Sequence, residues 1–148
     1  MSYKKELARQ RPVTLSIPVY NSWYSSAETR RSGRITMRLG PGDVADGGHA
    51  VILVGYQDSA DAPGGGYFIV RNSWGTTNWG YQCPYGAGYG TIPYQYITND
   101  AWEAYSAVVP GIRDVAEERS DTDLIHAPAR SKVTIRVGSN VTITVESE

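Results

Sequence analysis

One histidine and one asparagine stand at the boundaries of two apolar segments. His49 opens the run His49–Tyr56, and Asn72 follows the run Tyr67–Val70, with Trp74 two residues later. If the segments form adjacent strands, the Asn72 amide oxygen can accept a hydrogen bond from one ring nitrogen of His49, which selects one imidazole tautomer. The other ring nitrogen is then free to exchange a proton with a nucleophile. An indole cover would keep water from competing for this hydrogen bond.

Either motif alone has an ordinary structural explanation. A histidine at the start of a strand is usually a polar surface residue, and Asn-Ser-Trp-Gly can be a simple turn. Here the two motifs occur in succession, and each is joined to an apolar strand. Their combination favours a catalytic pair over two unrelated structural features.

Segments Gly47–Tyr56 and Tyr67–Gly75 closely resemble the histidine and asparagine signatures of papain-like cysteine peptidases, the C1 family. Arg11–Ile17 resembles the entry to that family's barrel domain, and Trp79-Gly80 and Gly88–Ile92 resemble the segments after its asparagine. The resemblance covers about residues 3 to 107. It implies a mainly β fold of the α+β type, the C-terminal antiparallel β-barrel half of a papain-like enzyme.

The resemblance also implies roles for individual residues. His49 would be the catalytic histidine, and Asn72 would orient its ring. Trp74, followed by Gly75, would shield the pair. Four small residues would lie near the pocket for the second substrate residue upstream of the scissile bond, namely Ser16, Gly47, Gly48 and Ala50.

The family nucleophile is missing from its expected position. Papain-like enzymes carry it in an N-terminal helical domain, within a Gln-x5-Cys-x-Ser-Cys-Trp pattern, and no segment of this chain resembles that pattern. The lone cysteine, Cys83, does not follow a recognisable helix start that would lower its pKa. We therefore expect Cys83 to be a structural thiol rather than the nucleophile.

Three functional hypotheses remain open. In the first, the chain supplies the histidine and asparagine of a peptidase that acts on peptides or proteins. The cysteine and the oxyanion glutamine then come from an upstream segment or a partner chain, and the isolated chain is inactive or nearly so. In the second, the chain is an inactive, peptidase-derived binding or scaffold domain. The third combines Cys83 and His49 in other thiol chemistry, which their spacing does not support.

Composition excludes several other classes. With 148 residues, 41% of them hydrophobic, the chain can form one globular domain with a small appendage. Its net charge of -1, from 14 basic and 15 acidic residues, argues against a nucleic-acid partner. No apolar run reaches the roughly 20 residues that span a membrane. A single cysteine rules out an internal disulfide. We predict no cofactor and no metal, and the sequence indicates no localisation.

Hydrophobic periodicity predicts the elements that position these residues. We predict a short helix over residues 2–10, a strand buried on both faces at 49–56, and further strands at 13–19, 34–39, 67–70, 89–94 and 102–109. Residues 1–110 would form the barrel domain, 111–131 an acidic linker containing a solvated His126, and 132–148 a β-hairpin extension. In papain-like enzymes the substrate cleft lies between two domains, so a chain without the N-terminal domain would expose aromatic side chains there. The candidates are Trp23, Tyr24 and Trp74.

Overall fold

The structure, a computed structural model, describes residues 2–107 and the backbone of residues 133–137 and 141–145. Its elements in chain order are α1 (Tyr3–Ala8), β1 (Val13–Tyr20), α2 (Ser22–Ser25), α3 (Ala27–Ser32), β2 (Ala45–Asp58), β3 (Gly66–Arg71), β4 (Tyr89–Pro93), α4 (Tyr94–Asp100), β5 (Glu103–Ser106), β6 (Val133–Val137) and β7 (Val141–Val145).

Strands β1 to β5 form one antiparallel sheet in the order β4-β3-β2-β1-β5. This confirms the predicted mainly antiparallel β fold with a short N-terminal helix. Across residues 2–107 the sheet is open, with β4 and β5 at its edges, so barrel closure is not seen there. Strands β6 and β7 pair as a separate antiparallel hairpin. The predicted linker, including His126, lies outside the described residues, and the division of the chain into three segments remains a prediction.

One face of the sheet carries the core. Val13, Leu15 and Ile17 of β1 are fully buried, and on β2 so are Val51 and Leu53. Helices and loops cover this face through side chains such as Leu7, Trp23, Ile35, Trp79, Tyr96 and Ile97. Burying this apolar area is the main favourable contribution to the folding of the sheet.

The prediction that residues 49–56 are buried on both faces is wrong for the part of the chain described. Ile52 is 40% exposed and Val54 is 41% exposed, because they lie on the face opposite the core. A bulge between Leu53 and Gly55 then shifts the register, so that Tyr56 packs back against the core. An apolar run cannot by itself distinguish one covered face from two.

This one-sided burial predicts unequal effects of two matched substitutions. Val51→Thr buries a hydroxyl and should lower the free energy of unfolding by about 1–3 kcal/mol. Ile52→Thr places the same side chain on the open face and should change it by about 0.5 kcal/mol or less. Urea unfolding followed by circular dichroism measures both, and equal losses would show that the open face is covered in solution.

The strand predicted at residues 34–39 is also wrong. Only Arg34 forms a bridge there, to Thr91, and the following residues form a loop. The backbone N–H of Leu39 donates to the Asp43 carboxylate rather than to a neighbouring strand. The alternation of side chains therefore predicted a strand that does not form. At Leu39, the backbone N–H has an acceptor in the nearby Asp43 side chain and needs no neighbouring strand.

Of the three aromatics predicted to be exposed in the cleft, Trp23 lies in the core. It is 1% exposed, and its backbone carbonyl accepts a hydrogen bond from the indole of Trp79 at 2.9 Å. Tyr24 is 41% exposed, whereas Trp74 is partly buried. Among the described residues, none of the helices has the length and hydrophobicity that a membrane span requires.

Candidate active site

His49 lies on β2, opposite Ile17 of β1, and its side chain is partly buried. Its Nε2 atom is 2.8 Å from Oδ1 of Asn72. Asn72 directly follows β3, the strand next to β2, and its backbone N–H donates to the Gly88 carbonyl at 3.1 Å. The structure thus brings together the two residues predicted as the catalytic pair, with Asn72 only 4% exposed.

A second hydrogen bond fixes which atom of the Asn72 amide faces the histidine. The backbone N–H of Ser73 donates to Oδ1 of Asn72 at 2.8 Å, so this position must hold the oxygen. Because oxygen accepts, Nε2 of His49 must carry the proton in its hydrogen bond to Asn72. Neutral His49 therefore presents an unprotonated Nδ1. The amide nitrogen of Asn72 is buried and has no hydrogen-bond partner among the described residues.

The indole of Trp74 packs against the His49 ring with 5.0 Å between centroids and a 30° interplanar angle. Trp23 and Trp79 meet Trp74 edge-on at 6.2 Å and 5.9 Å. These contacts hold the indole in place and limit the access of water to the histidine–asparagine hydrogen bond. Gly75 follows with a φ of 81°, a left-handed conformation that glycine adopts without strain and that turns the chain away.

A groove of about 450 Å³ adjoins His49 and contains three of the four predicted pocket residues, Ser16, Gly48 and Ala50. Gly47 is not among its lining residues. Trp102 and Glu103 complete the groove, and sequence reasoning did not assign them. They reach it because β5 pairs with β1, which sets Glu103 opposite Ser16, and because the Trp102 N–H donates to the Ser16 carbonyl.

The Trp102 ring closes over Gly48. A Cβ atom at Gly48 would lie 2.6 Å from the ring, so a larger residue would displace the indole. The sequence offered one sign of this contact, the glycine at position 48 in the histidine motif. It gave no sign of Trp102, which lies 54 positions further along the chain.

Cys83 lies in the long connection between β3 and β4 and is 8% exposed. Burial raises the pKa of its thiol, although a hydrogen bond from the Tyr85 backbone opposes the shift. Within residues 2–107, no hydrogen bond joins Cys83 to His49. A buried thiol with a raised pKa is a poor nucleophile, since the thiolate is the reactive form. The described residues also contain no cluster of three His, Cys, Asp or Glu side chains suited to a metal ion.

The raised pKa gives a direct prediction for Cys83. At a given pH near neutrality, the folded chain contains less thiolate than an unperturbed cysteine, and burial also blocks the reagent. We expect a thiol-reactive disulfide reagent to modify the folded chain at least about tenfold more slowly than the urea-unfolded chain. The folded rate should still be rising at pH values where an ordinary thiol is fully ionised. Equal rates in both states would contradict a buried, protonated thiol.

A family model described as papain family cysteine protease matches residues 1–100. The crystal structure of xylellain, a cysteine protease from Xylella fastidiosa, superposes with a TM-score of 0.54 at 33% sequence identity. The match covers 70% of this chain and 34% of that protein, so the chain spans about a third of its length. No curated protein matches the chain.

Proposed function

The chain belongs to the papain family of cysteine proteases, and from this we propose that it supplies the catalytic histidine and asparagine of a papain-like peptidase. The observation that carries the proposal is the 2.8 Å contact from His49 Nε2 to Asn72 Oδ1, with the oxygen orientation set by the Ser73 N–H. This arrangement holds the imidazole in one tautomer and leaves Nδ1 available as a base.

In this proposal the nucleophilic thiol gives its proton to Nδ1 of His49. The thiolate sulfur bonds to the scissile carbonyl carbon, and the C–N bond breaks as the imidazolium gives its proton to the departing amine. Nδ1 then takes a proton from water, which attacks the thioester, and the proton returns to the sulfur. Asn72 keeps the ring oriented throughout, and Trp74 covers the pair.

We propose that the nucleophilic cysteine and the oxyanion glutamine come from an upstream segment or from a partner chain. Cys83 is buried, and burial raises the pKa of its thiol, so it does not suit the role. The substrate would be a peptide or protein. Ser16, Gly47, Gly48 and Ala50 would form part of its pocket, and the groove beside His49 supports three of these assignments.

A specific observation favours the alternative, a catalytically inactive binding or scaffold domain. The open sheet face presents Ile52, Val54 and Tyr105, which are 40%, 41% and 62% exposed, and such a surface suits a protein partner. Against this, a domain without chemistry has no need to keep His49, Asn72 and Trp74 in one arrangement.

The first test is hydrolysis of a panel of fluorogenic dipeptide substrates under reducing conditions. The purified chain is compared with its Cys83→Ser and His49→Ala variants. We expect no turnover by any of the three. Activity that is lost in both variants would identify Cys83 as the nucleophile and would contradict the proposal that the nucleophile comes from elsewhere.

A second test separates the peptidase from the scaffold. The DNA preceding the codon for residue 1 is sequenced, and proteins that co-purify with the native chain are identified by mass spectrometry. A segment with the family's glutamine and cysteine pattern, from either source, would support the peptidase. Its absence from both would favour the scaffold.

A further inference from the structure

The backbone that leads into His49 is paired with β1 through Gly47 and Gly48, but its register shifts just before them. Gly47, with a φ of 150°, and Gly48 come directly before the histidine, and glycine gives the chain more conformational freedom than any other residue. The pairing of β1 with β2 is also irregular here, since Val19 faces Gly47 whereas Tyr20 faces Ala45. Contacts from another element can therefore add to the pairing with β1 in fixing residues 43–46, which we call the approach segment.

A buried carboxylate provides the first such contact. Asp43 is 6% exposed, and its two oxygens accept hydrogen bonds from the Ser22 N–H at 2.9 Å, the Ser22 hydroxyl at 2.8 Å and the Leu39 N–H at 3.0 Å. Burial acts to raise the pKa of Asp43, but the hydrogen bonds from Leu39 and Ser22 outweigh it and hold the pKa below its ordinary value. The carboxylate is thus ionised and firmly bound at neutral pH.

Two more hydrogen bonds join α2 and the residue before it to the approach segment, residues 43–46. The Tyr24 hydroxyl donates to Oδ2 of Asp46 at 2.7 Å, three residues before His49. The Asn21 N–H donates to the Val44 carbonyl at 3.0 Å. Asn21, just before α2, and two residues of α2 therefore bind the approach segment at three of its four positions.

Trp23 lies between Ser22 and Tyr24 and connects α2 to the ring that covers the histidine. It is buried and meets Trp74 at 6.2 Å, while Trp74 meets His49 at 5.0 Å. Helix α2 thus contacts both the carboxylates of the approach segment and the indole that covers His49.

We propose that α2 positions the His49 imidazole through the Ser22–Asp43 and Tyr24–Asp46 hydrogen bonds, which we call the α2 bracket. Ser22, Tyr24, Asp43 and Asp46 are positioning residues, since they act on His49 through the backbone and not on a substrate. The inference rests on the proposed function for its catalytic meaning. Its physical content is the orientation of one imidazole, which can be measured in the chain as it stands.

The test measures the ratio of Nε2–H to Nδ1–H tautomers of His49 from long-range proton–nitrogen NMR spectra of the full 148-residue chain. We expect Asp43→Asn and Ser22→Ala each to lower this ratio about fivefold, the equilibrium equivalent of one ordinary hydrogen bond. Tyr24→Phe removes only an exposed hydroxyl, so it should fold normally and lower the ratio in the same direction by a smaller factor. His126 is the internal reference and should not change.

Asp58→Asn is the matched control. Asp58 also accepts hydrogen bonds from a charged and a phenolic side chain, those of Lys4 and Tyr94. This variant should leave the His49 ratio unchanged, and an equal shift would mean that the effect is a general loss of stability and would overturn the bracket.

The possible failures can be told apart. A wild-type His49 without a preference for the Nε2–H tautomer would contradict the proposed function. If wild-type His49 prefers the Nε2–H tautomer and both Tyr24→Phe and Ser22→Ala keep the same ratio, the α2 bracket is overturned and the proposed function is not.

Discussion

Replacing His49 with alanine is expected to lower kcat by about four to six orders of magnitude once the chain is assembled with a cysteine-bearing half. In the proposed mechanism the imidazole both removes the thiol proton and protonates the leaving amine, and no other described group offers an unprotonated ring nitrogen there. The measurement is peptide hydrolysis by the chain mixed with the natural cysteine-bearing segment or partner once it is identified.

Labelling with a thiol-directed epoxide probe provides a second readout for the same assembly. The probe should modify the partner's cysteine only when the wild-type chain is present. Cys83→Ser is the matched control, and it should retain full labelling and hydrolysis. Persistent turnover in the His49→Ala assembly would remove His49 from the catalytic role, and loss of turnover in Cys83→Ser would return Cys83 to consideration.

Replacing Trp79 with alanine should produce the largest loss of stability among the core residues considered, about 3–5 kcal/mol. Trp79 is 2% exposed, stacks on Trp23 at 6.3 Å and donates its indole N–H to the Trp23 carbonyl. Its truncation leaves a cavity beneath Trp74 and leaves that carbonyl without its donor. Because domains are stable by only about 5–15 kcal/mol, the variant should unfold at a much lower urea concentration.

Trp102 is the matched control for this experiment, since it has the same side chain at 61% exposure. Trp102→Ala should change the free energy of unfolding by about 1 kcal/mol or less. Urea unfolding followed by far-ultraviolet circular dichroism compares the two variants without relying on tryptophan fluorescence. Similar losses would show that the cluster of Trp23, Trp74 and Trp79 is not the core of the site.

Local patterns in the sequence predicted much of the sheet. The boundaries predicted for β1 and β3 lie within one residue of those observed, because their apolar patterns depend on neighbours along the chain. The strand β2 was found, but it begins four residues earlier and ends two residues later than predicted. Residues 34–39 show the limit of that reasoning. Their alternation matches a strand, yet the Leu39 N–H donates to the Asp43 carboxylate four residues later, a local contact that the period of the side chains does not reveal.

The sequence by itself determined the family, through the paired histidine and asparagine motifs, and it indicated a mainly antiparallel β chain without the family's nucleophile pattern. The catalytic and pocket roles of individual residues remain predictions. Only the tertiary structure decided that Nε2 of His49 meets the Asn72 oxygen, that Trp102 and Glu103 enter the groove, that Trp23 is buried and that α2 binds the approach to His49. Local propensity acts over a few residues, whereas these contacts join segments 20 to 90 positions apart, whose pairing follows from strand register and from burial of the whole core.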